Sequence, residues 1–207
     1  MMTINRGIVP GTGLLILAGF VALLPAQNPG PPAPTFRLGG KVDNLTLGDL
    51  RGQAAQLFDL GRDAQATVAL FIATQCPVSN DYNERMAALE REYSAKGIKF
   101  LAINSNRQEP GAEIADHAAR HGFGFAVYKD ENNVLADLLG ASVTPEAYLF
   151  DRSWTMRYHG RIDDHRAVAK VTVSDLRNAL NALLEGKPVE VTQTKAFGCT
   201  IKRVKKA

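Results

Sequence analysis

The sequence predicts an α/β domain with a central mixed β-sheet flanked by helices on both faces. Three observations point there. Thr67–Ala73 and Ile98–Asn104 are continuous apolar runs with β-branched residues, the pattern of strands covered on both sides. Each is followed by a segment of helical spacing, as in parallel βαβ units. Near the end, two strand-like runs joined by Asp151-Arg152-Ser153-Trp154 read as an antiparallel hairpin, and a helix closes the pattern. With 207 residues, 45% hydrophobic and 22% charged, the chain holds one domain with some length to spare at each end.

In chain order, Arg6 precedes the apolar run Gly13–Leu24, which is followed by Pro25-Ala26. A charged start, a short apolar core and a small residue describe a secretory signal peptide over residues 1–26. The core is shorter than the roughly 20 residues of a spanning helix, although Leu24 makes an imperfect cleavage site, so a retained N-terminal anchor is the alternative. Residues 27–34 contain four prolines and form a stiff, extended linker. The folded part is expected over 35–188, leaving a basic tail, 189–207, that carries Cys199.

Within the domain, Phe36 to Leu60 reads as short β segments with turns. After the strand Thr67–Ala73, residues Tyr82, Met86, Leu89 and Tyr93 recur at helical spacing until Lys96-Gly97. The strand Ile98–Asn104 is followed by a helix from about Gly111 to Arg120. Phe125–Tyr128 gives a short strand, and Asn133 is placed to cap a helix over Val134–Leu139, ended by Gly140. Glu146–Phe150 and Thr155–His159 form the hairpin. Thr172-Val173-Ser174-Asp175 reads as a capping box for the last helix, whose apolar stripe is Leu176, Ala179, Leu180 and Leu183.

A net charge of +3 is too small to argue for nucleic acid. Loss of residues 1–26 would lower it by one unit, through Arg6. The excess lies at the end, where Lys195, Lys202, Arg203, Lys205 and Lys206 occur with no acid after Glu190, and reads as a solvated, frayed tail. Two cysteines are too few for a disulfide scaffold, yet in an exported chain they are the first place to look for chemistry.

Cys76 opens the stretch Cys76-Pro77-Val78-Ser79 just after the first strand. If the helix begins at Pro77, Cys76 is its N-cap, and proline at the first helical position loses nothing. The first N–H groups and the macrodipole then favour a thiolate, the species that attacks disulfides and peroxides. Ser79, one turn in, can donate its hydroxyl to the sulfur but cannot bond covalently to it. The alternative for Cys76 is a small buried hydrophobe. Thr144-Pro145 stands at the start of the next-to-last strand, a place where proline is tolerated.

Phe71–Asn80, Ile103–Asn106, Thr144–Glu146, Gly160–Asp164 and Gly198–Lys202 together resemble the redoxin (AhpC/TSA) superfamily of the thioredoxin fold, in its peroxiredoxin-like branch with a single Cys-Pro-x-Ser motif. The resemblance covers roughly residues 35–203. It implies that Cys76 is the nucleophilic cysteine and that Ser79 stands where a resolving cysteine would be. It further implies that Pro145 is a cis-proline against the sulfur, with Thr144 offering backbone hydrogen bonds to a bound polypeptide. Two departures matter. Ala69 and Ala73 occupy the positions where peroxiredoxins carry the proline and hydroxyl that position a peroxide, and Ser79 rather than a second cysteine stands three residues after Cys76. Cys199 is the remaining candidate to resolve it. A Cys76–Cys199 bridge would close a long loop, worth roughly 5 kcal/mol by chain entropy, and is either structural or reversible.

Other candidates are weaker. His117 and His121 have a metal-compatible spacing but no third ligand nearby, so no metal is expected. His165 could approach the thiol as a base or be a surface loop residue. Three readings follow. The first is an exported, periplasmic or extracellular thiol–disulfide oxidoreductase without cofactor. Its partner would be a thiol- or disulfide-bearing protein or a small thiol reductant, and it would meet a membrane only if residues 1–26 are retained. The second is an antioxidant thiol peroxidase. The third is a non-catalytic binding module with a structural disulfide.

Overall fold

The computed structural model describes residue 2 and residues 37–206. The expected signal segment (apart from Met2), the proline-rich linker, Thr35 and Phe36 lie outside the described residues. The chain divides into two units, Met1–Pro31 and Pro32–Ala207, and the sheet and its helices belong to the second. Among the described residues, no helix is long and apolar enough to cross a membrane.

The first strands, β1 (Thr46–Asp49) and β2 (Ala54–Gln56), form an antiparallel hairpin. Its turn is tied by Asp49, whose carboxylate accepts the Arg51 and Gln53 N–H groups at 2.8 and 2.7 Å. The expected β character does not extend over all of this region. Arg37 and Leu38 lie outside strands, and Leu57–Leu60 is a helical turn, α1.

The central strand β3 (Ala66–Phe71) runs parallel to β4 (Ile98–Asn104) and antiparallel to β7 (Glu146–Asp151). With β5 (Ala126–Lys129) and β8 (Met156–Gly160), the seven-stranded sheet has the order β2-β1-β5-β4-β3-β7-β8. Strand alternation divides the core. Val68, Leu70 and Ile72 face one side with Phe100 and Ala102; there they meet Tyr82, Met86, Leu89 and Tyr93 of the following helices. Ala69, Phe71, Leu101 and Ile103 face the other side, under Leu135, Ala136 and Leu139. Both faces of β3 are therefore dry, which explains its unbroken apolar run.

The helix expected from Pro77 onward is two helices. α2 (Pro77–Asp81) ends where the Tyr82 N–H turns back to Ser79 O at 3.0 Å, and α3 (Asn83–Ser94) starts there. The buried Tyr82 hydroxyl donates to Asp163 at 2.7 Å, with the Arg85 guanidinium 3.5 Å over the ring. α4 (Gly111–Arg120) matches its sequence expectation. α5 (Val134–Leu139) also forms, but Asn133 does not cap it. Asp130 does so instead, accepting the Leu135 and Ala136 N–H groups at 2.9 Å each, while Asn133 adopts a left-handed backbone and directs its side chain elsewhere. The capping box before α6 (Asp175–Leu184) is likewise not made, because Thr172 turns its N–H and hydroxyl to Asp164.

The tail is not frayed. β9 (Cys199–Thr200) pairs antiparallel with β6 (Val143–Thr144), matching Thr144 with Cys199 in a second, two-stranded sheet. Ile201, 4% exposed, sits in the second core cluster. Arg203 and Lys206 pair with Asp137, so part of the basic excess is neutralised by an acid far away in sequence.

Candidate active site

The C-terminal end of β3 leads straight into the thiol. Ile72 N–H still bonds Ile103 O at 2.9 Å, after which the backbone leaves the sheet. The Thr74 and Gln75 N–H groups then donate to the two oxygens of the Glu109 carboxylate, at 2.9 and 3.1 Å. Glu109 is 1% exposed and also accepts from the Asn104 side chain, so it ties the two residues before Cys76 to the end of β4. Nothing in the spacing Gln108-Glu109-Pro110 announces this role.

Cys76 is the N-cap of α2, in extended conformation, with Pro77 at the first helical position. Its sulfur accepts the Ser79 N–H at 3.3 Å and lies 3.2 Å from Thr144 O. The Ser79 hydroxyl does not reach the sulfur as expected; it accepts the Ala73 N–H at 3.2 Å and so ties the strand end to the helix. With only five residues in α2, the helix field is modest, and individual donors decide the ionisation. Burial pushes the Cys76 thiol up, but hydrogen bonds from the Cys199 thiol, the Ser79 N–H and Thr144 outweigh it, and the net shift is downward.

Cys199 behaves in the opposite way. Burial, together with the neighbouring Cys76 sulfur, raises it, against a smaller opposing effect of the Val78 N–H. The first N–H groups of α2 are thus divided between two sulfurs, with the anion favoured on Cys76 and the proton on Cys199. Both are free thiols. The Thr144-Pro145 bond is cis. Arg166, held by Asp81, is close enough to both sulfurs to feel their charge.

Cys76 is 2% exposed, and Cys199 is half-buried above it. A cleft of about 160 Å³ reaches the pair, lined by Gln75, Asn106, Gln108, Glu109 and Lys202 among others. His165 lies aside, its Nδ1 accepting the Ala167 N–H at 2.9 Å. His117 is buried between Asn80 and Asn83, and among the described residues no group of three metal-ligating side chains occurs. Ala69 and Ala73 are buried and bring no hydroxyl near the sulfur.

A profile of the AhpC/TSA family matches residues 29–159. The chain belongs to the AhpC/TSA family. The match ends before the segment that carries Cys199. Among solved structures, the chain is similar to an uncharacterized conserved protein from Geobacillus kaustophilus (34% identity, TM-score 0.76, covering 83% of this chain and 95% of that one). It is also similar to a hypothetical protein from Sinorhizobium meliloti 1021 (32% identity, TM-score 0.75, covering 83% and 97%). A putative thiol:disulfide interchange protein DsbE from Chlorobium tepidum matches at 20% identity and TM-score 0.60, covering 72% and 99%, which speaks for the fold alone. No curated protein matches. The fold is thioredoxin-like, as its sheet and neighbours show.

Proposed function

We propose that the protein is a thiol–disulfide oxidoreductase whose nucleophile is Cys76 and whose resolving thiol is Cys199. The observation that carries this reading is the arrangement around the Cys76 sulfur: it receives the Ser79 N–H, has the Cys199 thiol as a donor, and faces Thr144 across the cis bond to Pro145. Pro77 and Ser79 act by starting the helix and holding the strand end, while Thr144 and Pro145 form the wall on which the reacting sulfurs rest.

In the forward step, the Cys76 thiolate attacks a partner disulfide, one partner sulfur leaves as a thiolate, and a mixed disulfide remains. Cys199 then attacks the Cys76 sulfur, its proton passing to the second departing thiolate. The sum is one partner disulfide reduced to two thiols and one Cys76–Cys199 bridge formed; a thiol reductant reverses it. The charged, apolar and small segments of residues 1–26 support export to an oxidising compartment, where such exchange is sustained. The domain assignment is residues 35–188, with 189–207 serving the site rather than trailing from it.

The test is the pH profile of Cys76 alkylation in the reduced protein, together with turnover of a model disulfide by wild type and Cys76→Ser. An inflection below the free-thiol value near 8.5 and turnover that vanishes with Cys76 are expected. An unshifted inflection without thiol-dependent turnover would sink the reading. Peroxidase chemistry ranks second, since Ala69 and Ala73 supply no group to orient a hydroperoxide.

A further inference from the structure

The segment following Gly198 is fastened across the site by contacts that use two buried side chains, the part-exposed Asp137 and backbone carbonyls. Lys202 N–H donates to the buried Asn106 side chain at 2.8 Å, and Arg107 N–H returns a bond to Lys202 O at 2.9 Å. Ile201 N–H bonds Ser142 O at 3.0 Å, and Val204 N–H bonds the buried Asn133 side chain at 2.8 Å. Arg203 donates to Ala141 O at 2.6 Å and pairs with Asp137. At Gly198 the approach is so close that a Cβ would lie 2.0 Å from Thr144 O. A polar, exposed tail needs none of this.

The consequence concerns access. The strand edge nearest Cys76 is β6, and a free edge is a template on which an extended polypeptide pairs. Here β9 already pairs with it, Val143 with Thr200 and Thr144 with Cys199. The cleft left beside the strap, about 160 Å³, is well below the roughly 300–1,000 Å³ of pockets that hold drug-sized ligands.

We propose that this strap, residues 197–204, restricts the closed site to low-molecular-weight disulfides, and that a polypeptide disulfide reaches Cys76 only when the strap leaves β6. The proposal rests on the reading of Cys76 as the nucleophile. The chemistry is unchanged: the small disulfide is reduced to two thiols, and the strap is stapled in place by the Cys76–Cys199 bond that forms. Reduction of that bond by a thiol frees the strap again. The strap therefore carries both the resolving sulfur and the size filter.

The experiment mixes reduced wild-type protein with bis(2-hydroxyethyl) disulfide or with disulfide-bonded insulin. Covalent capture of Cys76 is then followed by acid quench and mass spectrometry. The insulin rate is expected to be at least about tenfold below the small-disulfide rate. Two variants loosen the strap away from the sulfurs, Ile201→Ala and the milder Arg203→Ala, and amide exchange over 197–204 verifies the loosening. Each is expected to raise the insulin-to-small-disulfide ratio, by about tenfold for an anchor worth one charged hydrogen bond. Equal rates in wild type, or a ratio unmoved by a strap that exchange shows to be loose, overturns the proposal. Silence of Cys76 toward both probes in all three proteins removes the nucleophile reading, and the filter falls with it.

Discussion

Glu109 offers the sharpest test of how the thiol is held. Its carboxylate accepts from Thr74 N at 2.9 Å, Gln75 N at 3.1 Å and the Asn104 side chain, all but the Gln75 contact fully buried. Glu109→Gln keeps the shape but offers one carbonyl oxygen. Placed toward Thr74 and Asn104, it leaves the Gln75 N–H facing an amide NH₂, which is one orphaned donor at about 1–3 kcal/mol. Glu109→Ala orphans all three donors and should lose about 3–6 kcal/mol, since water can reach only the Gln75 side. Urea denaturation measures both, and the order wild type, Gln, Ala is the expectation. A functional readout separates positioning from bulk stability. If residues 74–75 loosen, the Ser79 N–H and the Cys76 sulfur lose their alignment, and the alkylation inflection of Cys76 moves up in the folded variant. A Glu109→Ala protein with wild-type stability and an unmoved inflection would refute the reasoning.

Three further outcomes follow from the same geometry. Cys199→Ala should raise the Cys76 inflection more than Cys199→Ser, because the serine hydroxyl keeps a donor where the Cys199 thiol stood; thiol alkylation against pH reads both. Gly198→Ala places a Cβ against the Thr144 backbone, so it should destabilise by about 1–3 kcal/mol and slow bridge formation, checked by thermal denaturation and mass spectrometry. Asp164 is held down to about 2, first by the Thr172 hydroxyl and then by the Val173 and Thr172 N–H groups. A depressed carboxyl stabilises above the unfolded value of about 3.9, and that stabilisation is lost as pH falls toward about 2. Carboxyl NMR titration should show it, with Thr172→Val moving the midpoint back up.

Where the sequence is legible, one short-range signal suffices. Ile98–Asn104 is bounded by Gly97 and a polar stretch, and Gly111–Arg120 by Pro110 and Gly122, so their limits can be read directly. The start of α2 is announced by Cys76-Pro77. The departures share a cause. Spacing alone gives Asn133, Thr172 and the Ser79 hydroxyl partners nearby in sequence, whereas each finds a better one supplied by the fold: Val204 N–H, Asp164 and the Ala73 N–H. Polarity marks the tail as frayed, but it says nothing of acceptors waiting on Asn106, Asn133, Asp137 and Ser142. Glu109 stays invisible for the same reason, lying on the loop after β4 while two of its donors follow β3.

In the proposed cycle, the opposite shifts of the two sulfurs set the order of the steps. A second cysteine at position 79 would compete for the same first-turn N–H groups and ride on the same rigid helix. Here Ser79 instead gives its N–H to Cys76 and uses its hydroxyl to fasten Ala73, while the Val78 N–H serves Cys199, so each sulfur has its own first-turn donor. The other sulfur is carried on a strap whose backbone bonds end on asparagine side chains and loop carbonyls. Burial first, and then the neighbouring Cys76 sulfur, raise its thiol; in the proposed cycle, conversion of Cys76 to a mixed disulfide removes the second of these causes, and Cys199 then ionises more easily than before. In the proposed cycle, attack and resolution are thereby ordered by electrostatics, because the second thiol is activated by consumption of the first.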